Sequence, residues 1–378
     1  MAKHIVLAGN KRRVAHLIIL LVSLLFLGKA HTVMAASPTV VFKNVMIPVS
    51  LPHHRGNFLM QVRVAKNPLA APTATKYAVL VHGYTGGPEI WDNFITTWSA
   101  SPEAEQIAGF IIPALPGHDK STKPRDVVYG ALTMDDYAGA IIAVLDKVND
   151  PEGGDYYPTK ILVGHSMGGM LLPIIEDHLI TERNQTLMQN YGITGILDIA
   201  PVPTEDTAWS YAEGPTGSNF LSPLLMQLIQ YVNWKRGVVE FSDATAISMW
   251  YTGANGITST APTVEQISAF NFPEPLRVSF NMCGFPVPNG KRVNVGSLRL
   301  EQYHTATVAM ADDTLMTPDE ICEVHKYNTG KECTAAEGYI LISGTGTNNV
   351  QPGEAVHGLI WSDPDATNLQ TAFSFIAQ

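Results

Sequence analysis

The stretch ILVGHSMGGM, Ile161 to Met170, sets an apolar run directly against a serine fenced by glycines. A strand needs side chains to pack on its neighbours, and glycine supplies none while loosening the backbone. Gly164 and Gly168, two residues either side of Ser166, suit a place where a buried strand turns sharply into a helix and the two backbones approach closely. That geometry lifts the Ser166 hydroxyl above the carboxyl edge of a sheet. There it meets the N–H groups and the partial positive field of a helix N-terminus. The pattern serves chemistry better than it serves packing.

Outward from this stretch, short apolar runs alternate with longer amphipathic ones, the mark of strands crossed over by helices. Strands are expected near Val40–Pro48, Phe58–Val64, Tyr77–Val81, Phe110–Ala114, Lys160–Val163, Gly195–Ala200, Thr305–Met310 and Tyr339–Ile342. Helical periodicity covers Trp91–Trp98, Met134–Val148, Gly169–Leu179 and Ala366–Ile376. Strand and helix alternate through residue 200, which predicts an α/β fold: a mostly parallel, eight-stranded sheet with right-handed crossovers and helices on both faces. After ILDIAPVPTED, Ile196 to Asp206, the rhythm breaks until about residue 300. The expectation is an inserted, largely helical cap after the sixth strand, containing the amphipathic run FLSPLLMQLIQYVNW. Its aromatics, among them Trp209, Trp234, Trp250, Tyr251, Phe270 and Phe272, either fill a small core of their own or line a pocket over the sheet. Met226, Met249 and Met282 would suit acyl chains in such a pocket, and the cap could act as a mobile lid.

Composition bounds the rest. Of 378 residues, 46% are hydrophobic and 15% charged, as in an ordinary globular protein. Lys11, Arg12 and Arg13 precede an apolar run from Leu17 to Leu27 and the small residues around Ala35 and Ala36, the layout of a secretory signal over residues 1–36. A retained N-terminal anchor is the alternative. Export would place the chain in the periplasm or the medium, and removal of the leader leaves about 340 residues, enough for one decorated α/β domain. This domain would divide into a first core part, 37–202, the cap, 203–300, and a second core part, 301–378. The net charge of −10 includes the basic leader, so nucleic acid is not an expected partner. Of three cysteines, Cys322 and Cys333 bracket a short polar loop and are expected to pair, leaving Cys283 free. A metal held by Cys322, His325 and Cys333 is the rival reading.

Four segments together resemble the α/β-hydrolase family of serine esterases and lipases: VLVHGYTGG (Val79–Gly87), PALPGHDKS (Pro113–Ser121), VGHSMGG around Ser166, and AVHGLIWSD (Ala355–Asp363). The resemblance implies a hydrolase of small-molecule or lipid-like carboxylic esters, exported if the leader is read as above, with transient contact at a lipid interface conceivable and no metal or other cofactor required. Acyl transfer puts negative charge on the carbonyl oxygen, and the resemblance assigns the backbone N–H groups of Tyr84 and Met167 to stabilise it. His82 and Gly83 belong to that loop, with His82 holding it, and Gly164, His165 and Gly168 frame the nucleophile. Among twelve histidines, His357 is the expected base, since it follows the last strand and precedes the final helix in the family order serine, acid, histidine. The acid falls in VAMADDTLMTPDE, where Asp313 is preferred to Asp312 and Asp206 is third. The spacing from Asp313 to His357 exceeds the family norm, which the Cys322–Cys333 loop would account for. Asp119 stands where family members often carry a second glycine, and His118 reads as a surface loop residue in preference to a pocket residue. Three further readings stay open: amide or carbon–carbon bond hydrolysis with the same three residues, acyl transfer to an alcohol, or a silent hydrolase fold kept for binding.

Overall fold

In a computed structural model, residues 40–51, 54–153, 156–204, 228–253, 255–259, 261–282, 295–343, 354–358 and 366–376 are described. All fall in one unit, Thr39–Gln378. The expected leader, Asp206, Trp209, Met226, Cys283 and most of the run Phe220–Trp234 lie outside the described residues.

The apolar runs form β1 (Phe42–Leu51), β2 (His54–Lys66), β3 (Lys76–Val81), β4 (Ile107–Pro113), β5 (Thr159–His165), β6 (Gly195–Ile199), β7 (His304–Met310) and β8 (Tyr339–Ile342). They make one eight-stranded sheet in the order β1-β2-β4-β3-β5-β6-β7-β8. Only β2 runs against the rest, pairing antiparallel with both β1 and β4. The neighbours from β4 to β8 are all parallel. Strands of a parallel sheet are covered on both faces, which is why KYAVLV, ILV and GILDI read as continuous apolar runs rather than alternating ones. Val79, Leu80, Val81, Leu162, Val163, Ile196 and Leu197 are all fully buried.

The crossover helices bury apolar residues against the sheet, and the first ten residues of Met167–Arg183 are buried all round. Met134–Val148 starts on a capping box, in which Thr133 Oγ1 accepts from the Asp136 N–H and the Asp136 carboxylate accepts from the Thr133 N–H at 2.9 Å. It packs on β1 and on the helix Met167–Arg183. On the opposite face, Asp92–Ser99 packs against the final helix, Ala366–Ile376, where Trp98 stacks on Phe373 at 4.6 Å between ring centroids. The expected strands and crossover helices are present, within a few residues at their ends.

The insertion between β6 and β7 differs in detail. Among its described residues, besides the short helices Asp243–Trp250, Val264–Ser268 and Leu276–Met282, it carries a small three-stranded sheet and a two-stranded ribbon. The end of the expected amphipathic helix, Val232–Asn233, is one of those strands and pairs with Val238–Val239. Val232, Val238 and Val239 are β-branched, and Gly237 at φ 64° supplies the turn between them, which favours a hairpin over a helical turn there. Cys322 and Cys333 are joined in a disulfide that ties the helix Pro318–Thr329 to the loop before β8. His325 turns its Nδ1 to the Thr307 hydroxyl at 2.9 Å, so these three residues do not group around a metal.

Candidate active site

Ser166 sits between β5 and the helix Met167–Arg183, at φ 55° and ψ −121°. A side chain other than glycine is seldom tolerated at positive φ, so surrounding contacts must hold it. Its N–H donates to the Ile199 carbonyl at 2.9 Å, and its own carbonyl accepts from Met170 and Val202 at 3.2 and 3.1 Å. The glycines explain themselves here. A Cβ on Gly164 would stand 2.5 Å from the Gly168 carbonyl oxygen, and one on Gly168 would stand 2.3 Å from the Val81 oxygen. Helix and strand backbones touch, and no side chain fits between them.

His357 and Asp313 come from loops far apart in sequence. His357 Nδ1 lies 2.7 Å from Asp313 Oδ2, and both side chains are buried. The other carboxylate oxygen of Asp313 accepts the N–H groups of Leu315 and Met316 at 2.8 and 3.0 Å, which fixes its orientation. Asp312 does something else. Its N–H donates to the Ala355 carbonyl at 2.9 Å and its carboxylate accepts the Ala355 N–H at 3.1 Å, so it holds the loop that carries His357.

His165 holds that loop as well, donating from Nε2 to the His357 carbonyl at 3.0 Å. Burial, reinforced by the neighbouring His357, pushes the His165 imidazole down to about 3, so it stays neutral. His82 is also buried, and burial together with the nearby His118 lowers its pKa well below the usual histidine range. Its Nδ1 meets the Gly83 carbonyl at 3.0 Å and its Nε2 accepts the Leu115 N–H at 3.1 Å, joining the loops after β3 and β4. His118 departs from expectation. It is fully buried rather than on the surface, facing a cap carboxylate, Glu274, at 3.1 Å. The local sequence could not reveal a partner that lies in the insertion.

Two recesses meet at the serine. Tyr84, Ser166, Trp250 and His357 line both. The first is otherwise walled by Gly83, Gly86, Ile90, Tyr251 and Phe270, and the second by Val202, Leu228, Met249, Met282, Leu315 and Met316. Trp250, Tyr251 and Phe270 of the cap therefore line the pocket, while Phe241 packs edge-on against Tyr84 and Tyr231. Met167 is fully buried at the first position of its helix, where an N–H has no carbonyl partner within the helix.

A family model described as the alpha/beta hydrolase family matches residues 78–283, and the chain belongs to that family. No match was found among curated proteins. Among solved structures, a hydrolase from Pseudomonas aeruginosa is similar in fold at 13% identity, with 90% of this chain and 100% of that chain covered and a TM-score of 0.51. A carboxylesterase from Bacillus subtilis aligns at 15% identity over 90% of this chain and 92% of its own, with a TM-score of 0.49. The naproxen esterase of the same organism aligns at 15% identity over 89% and 92%, with a TM-score of 0.46.

Proposed function

We propose that this chain is an exported serine hydrolase that cleaves uncharged carboxylic esters through an acyl-enzyme. The observation that carries the reading is the 2.7 Å bond between His357 Nδ1 and Asp313 Oδ2, made at the wall of the two recesses that His357 shares with Ser166. With the proton held on Nδ1, the His357 Nε2 lone pair is left to take the Ser166 proton. Ser166 Oγ then attacks the ester carbonyl, and the tetrahedral oxyanion accepts the N–H groups of Tyr84 and Met167. Collapse returns the proton from Nε2 to the departing alcohol. Water, deprotonated by the same nitrogen, releases the acid and restores the serine.

The walls support the choice of substrate. Away from Ser166 and the histidines, the described residues that line both recesses present glycine, aliphatic, thioether and aromatic groups, with no carboxylate or cation among these described residues. A charged group on either side of the scissile bond would lose its hydration without a partner. The test is turnover of p-nitrophenyl esters from acetate to decanoate beside the hemisuccinate, whose acyl group carries a carboxylate. Hydrolysis of the neutral series with the hemisuccinate at least tenfold slower in kcat/KM is expected. No turnover of any ester by folded protein would overturn the reading.

A further inference from the structure

Glu274 belongs to the cap, on the short strand Glu274–Pro275, and is fully buried. A carboxylate removed from water persists only where donors replace its hydration. Its Oε1 accepts the Thr85 N–H at 2.7 Å and stands 3.1 Å from His118 Nε2, and its Oε2 accepts the Tyr137 hydroxyl at 2.9 Å. The donors come from the loop after β3, the loop after β4 and the helix Met134–Val148. One cap side chain thus reaches three separate parts of the sheet scaffold.

Thr85 is where this bears on chemistry. It holds φ 52°, a conformation that a threonine keeps only under restraint. It and Tyr84 are the central residues of a turn closed by the Gly86 N–H on the Gly83 carbonyl at 3.1 Å. Both polar backbone groups of Thr85 go to the cap, the N–H to Glu274 and the carbonyl to the Phe272 N–H at 2.8 Å. The Tyr84 hydroxyl lies 2.7 Å from Ser279 Oγ, a third grip by the same segment. A four-residue turn has few free dihedrals, so fixing both groups of its third residue restricts the peptide plane that carries the Tyr84 N–H.

We propose that Glu274 is a positioning residue for the oxyanion site: braced by His118 and Tyr137, its carboxylate locks the turn Gly83–Gly86 so that the Tyr84 N–H points at the oxygen that becomes charged. The proposal rests on the reading of Ser166 as nucleophile and Tyr84 as oxyanion donor. Glutamine can take the same place, because its carbonyl oxygen accepts from Thr85 and His118 while its NH2 donates to the Tyr137 oxygen. Alanine and leucine cannot.

The experiment compares an ester with its thionoester, in which sulfur replaces the carbonyl oxygen, on wild-type protein and on Glu274→Gln, Glu274→Ala and Glu274→Leu. Sulfur accepts hydrogen bonds poorly, so the ester-to-thionoester ratio of kcat/KM reads the oxyanion donors. Because it is taken within one preparation, it does not depend on the fraction folded. A high ratio is expected for wild type, a value within about twofold of it for Glu274→Gln, and a fall of about tenfold for the alanine and leucine variants, a fraction of what losing a whole donor costs. If those two variants do not fold, the same ratio is read on Glu274→Asp, which keeps the charge but withdraws the oxygens by one methylene, and a fall of at least threefold is expected. Equal loss on both substrates, with the ratio unchanged, would mean a structural role only and overturn the proposal. Wild-type protein that turns over neither substrate would overturn the underlying hydrolase reading, and this proposal with it.

Discussion

At the scale of single residues, adjacent carboxylates on one turn have divided their work. Asp313 faces the His357 ring and Asp312 faces the backbone of the loop that bears it. Asp313→Asn is expected to lower kcat by about 10³–10⁴, since an amide in that place favours the wrong imidazole tautomer. Asp312→Asn is expected to cost less than about tenfold, because the Asp312 N–H still holds Ala355 and the amide oxygen can still accept. Steady-state kinetics on the two variants decides the assignment, and equal losses would contradict it. The sequence alone ranks this pair without separating them, because both follow the same strand and only the fold shows which one the imidazole meets.

Glu89 gives a pH prediction. Burial, and beyond it the nearby Asp119 and Asp92, raises its pKa to about 7 although Arg63 lies 3.5 Å away. Between the ordinary glutamate value and about 7, the folded state holds a proton that the unfolded chain releases, so this group lowers stability as pH rises through that window. Glu89→Gln should therefore leave stability almost unchanged at pH 5 and raise it by about 1–3 kcal/mol at pH 8. Chemical denaturation at the two pH values checks this. An equal gain at both would show that the carboxyl does not titrate in that range.

At the scale of elements, the turn from β5 into its helix is the most legible part of the chain, because its constraint is local. Strand, glycine, serine, glycine and helix follow one another without a gap, and the close approach of Gly164 to the Gly168 carbonyl is what the spacing predicts. Gly168→Ala should cost about 1–3 kcal/mol through overpacking and displace Ser166, giving a large loss of turnover in whatever protein folds. The cap is legible only as an interruption. Its partners are core residues far away in sequence: Glu274 finds Thr85, His118 and Tyr137 through no motif, so neither the buried position of His118 nor the grip on the Gly83–Gly86 turn could be read in advance. These grips also bear on the idea of a lid. The segment Phe272–Ser279 is hydrogen-bonded into the core, so any opening of the cap must occur elsewhere. The disulfide is a separate matter, with Cys322 and Cys333 only 11 residues apart in sequence. Replacing both by serine should lower stability by about 3 kcal/mol or less on loop-closure grounds while leaving turnover at 25 °C intact. Thermal melts beside the ester assay separate the two effects.

At the scale of the whole molecule, the strand order brings residues 166, 313 and 357 to one end of the sheet, beside the apolar residues of the insertion. Export is part of the proposal, carried by the basic, apolar and small-residue order of the first 36 positions, and the mature chain is expected to begin at Ala36 or Ser37. N-terminal sequencing of secreted protein reads this directly, and a retained Met1 would point to an anchor. The central claim is that Ser166 is a nucleophile activated by His357. The measurement that tests it most directly is reaction of the mature, oxidised protein with a fluorophosphonate probe, followed by mass mapping of the labelled peptide. The account predicts one adduct on Ser166, absent in Ser166→Ala and slowed by at least about 10³ in His357→Ala. Folded protein that takes no label, or takes it equally fast without His357, would contradict it.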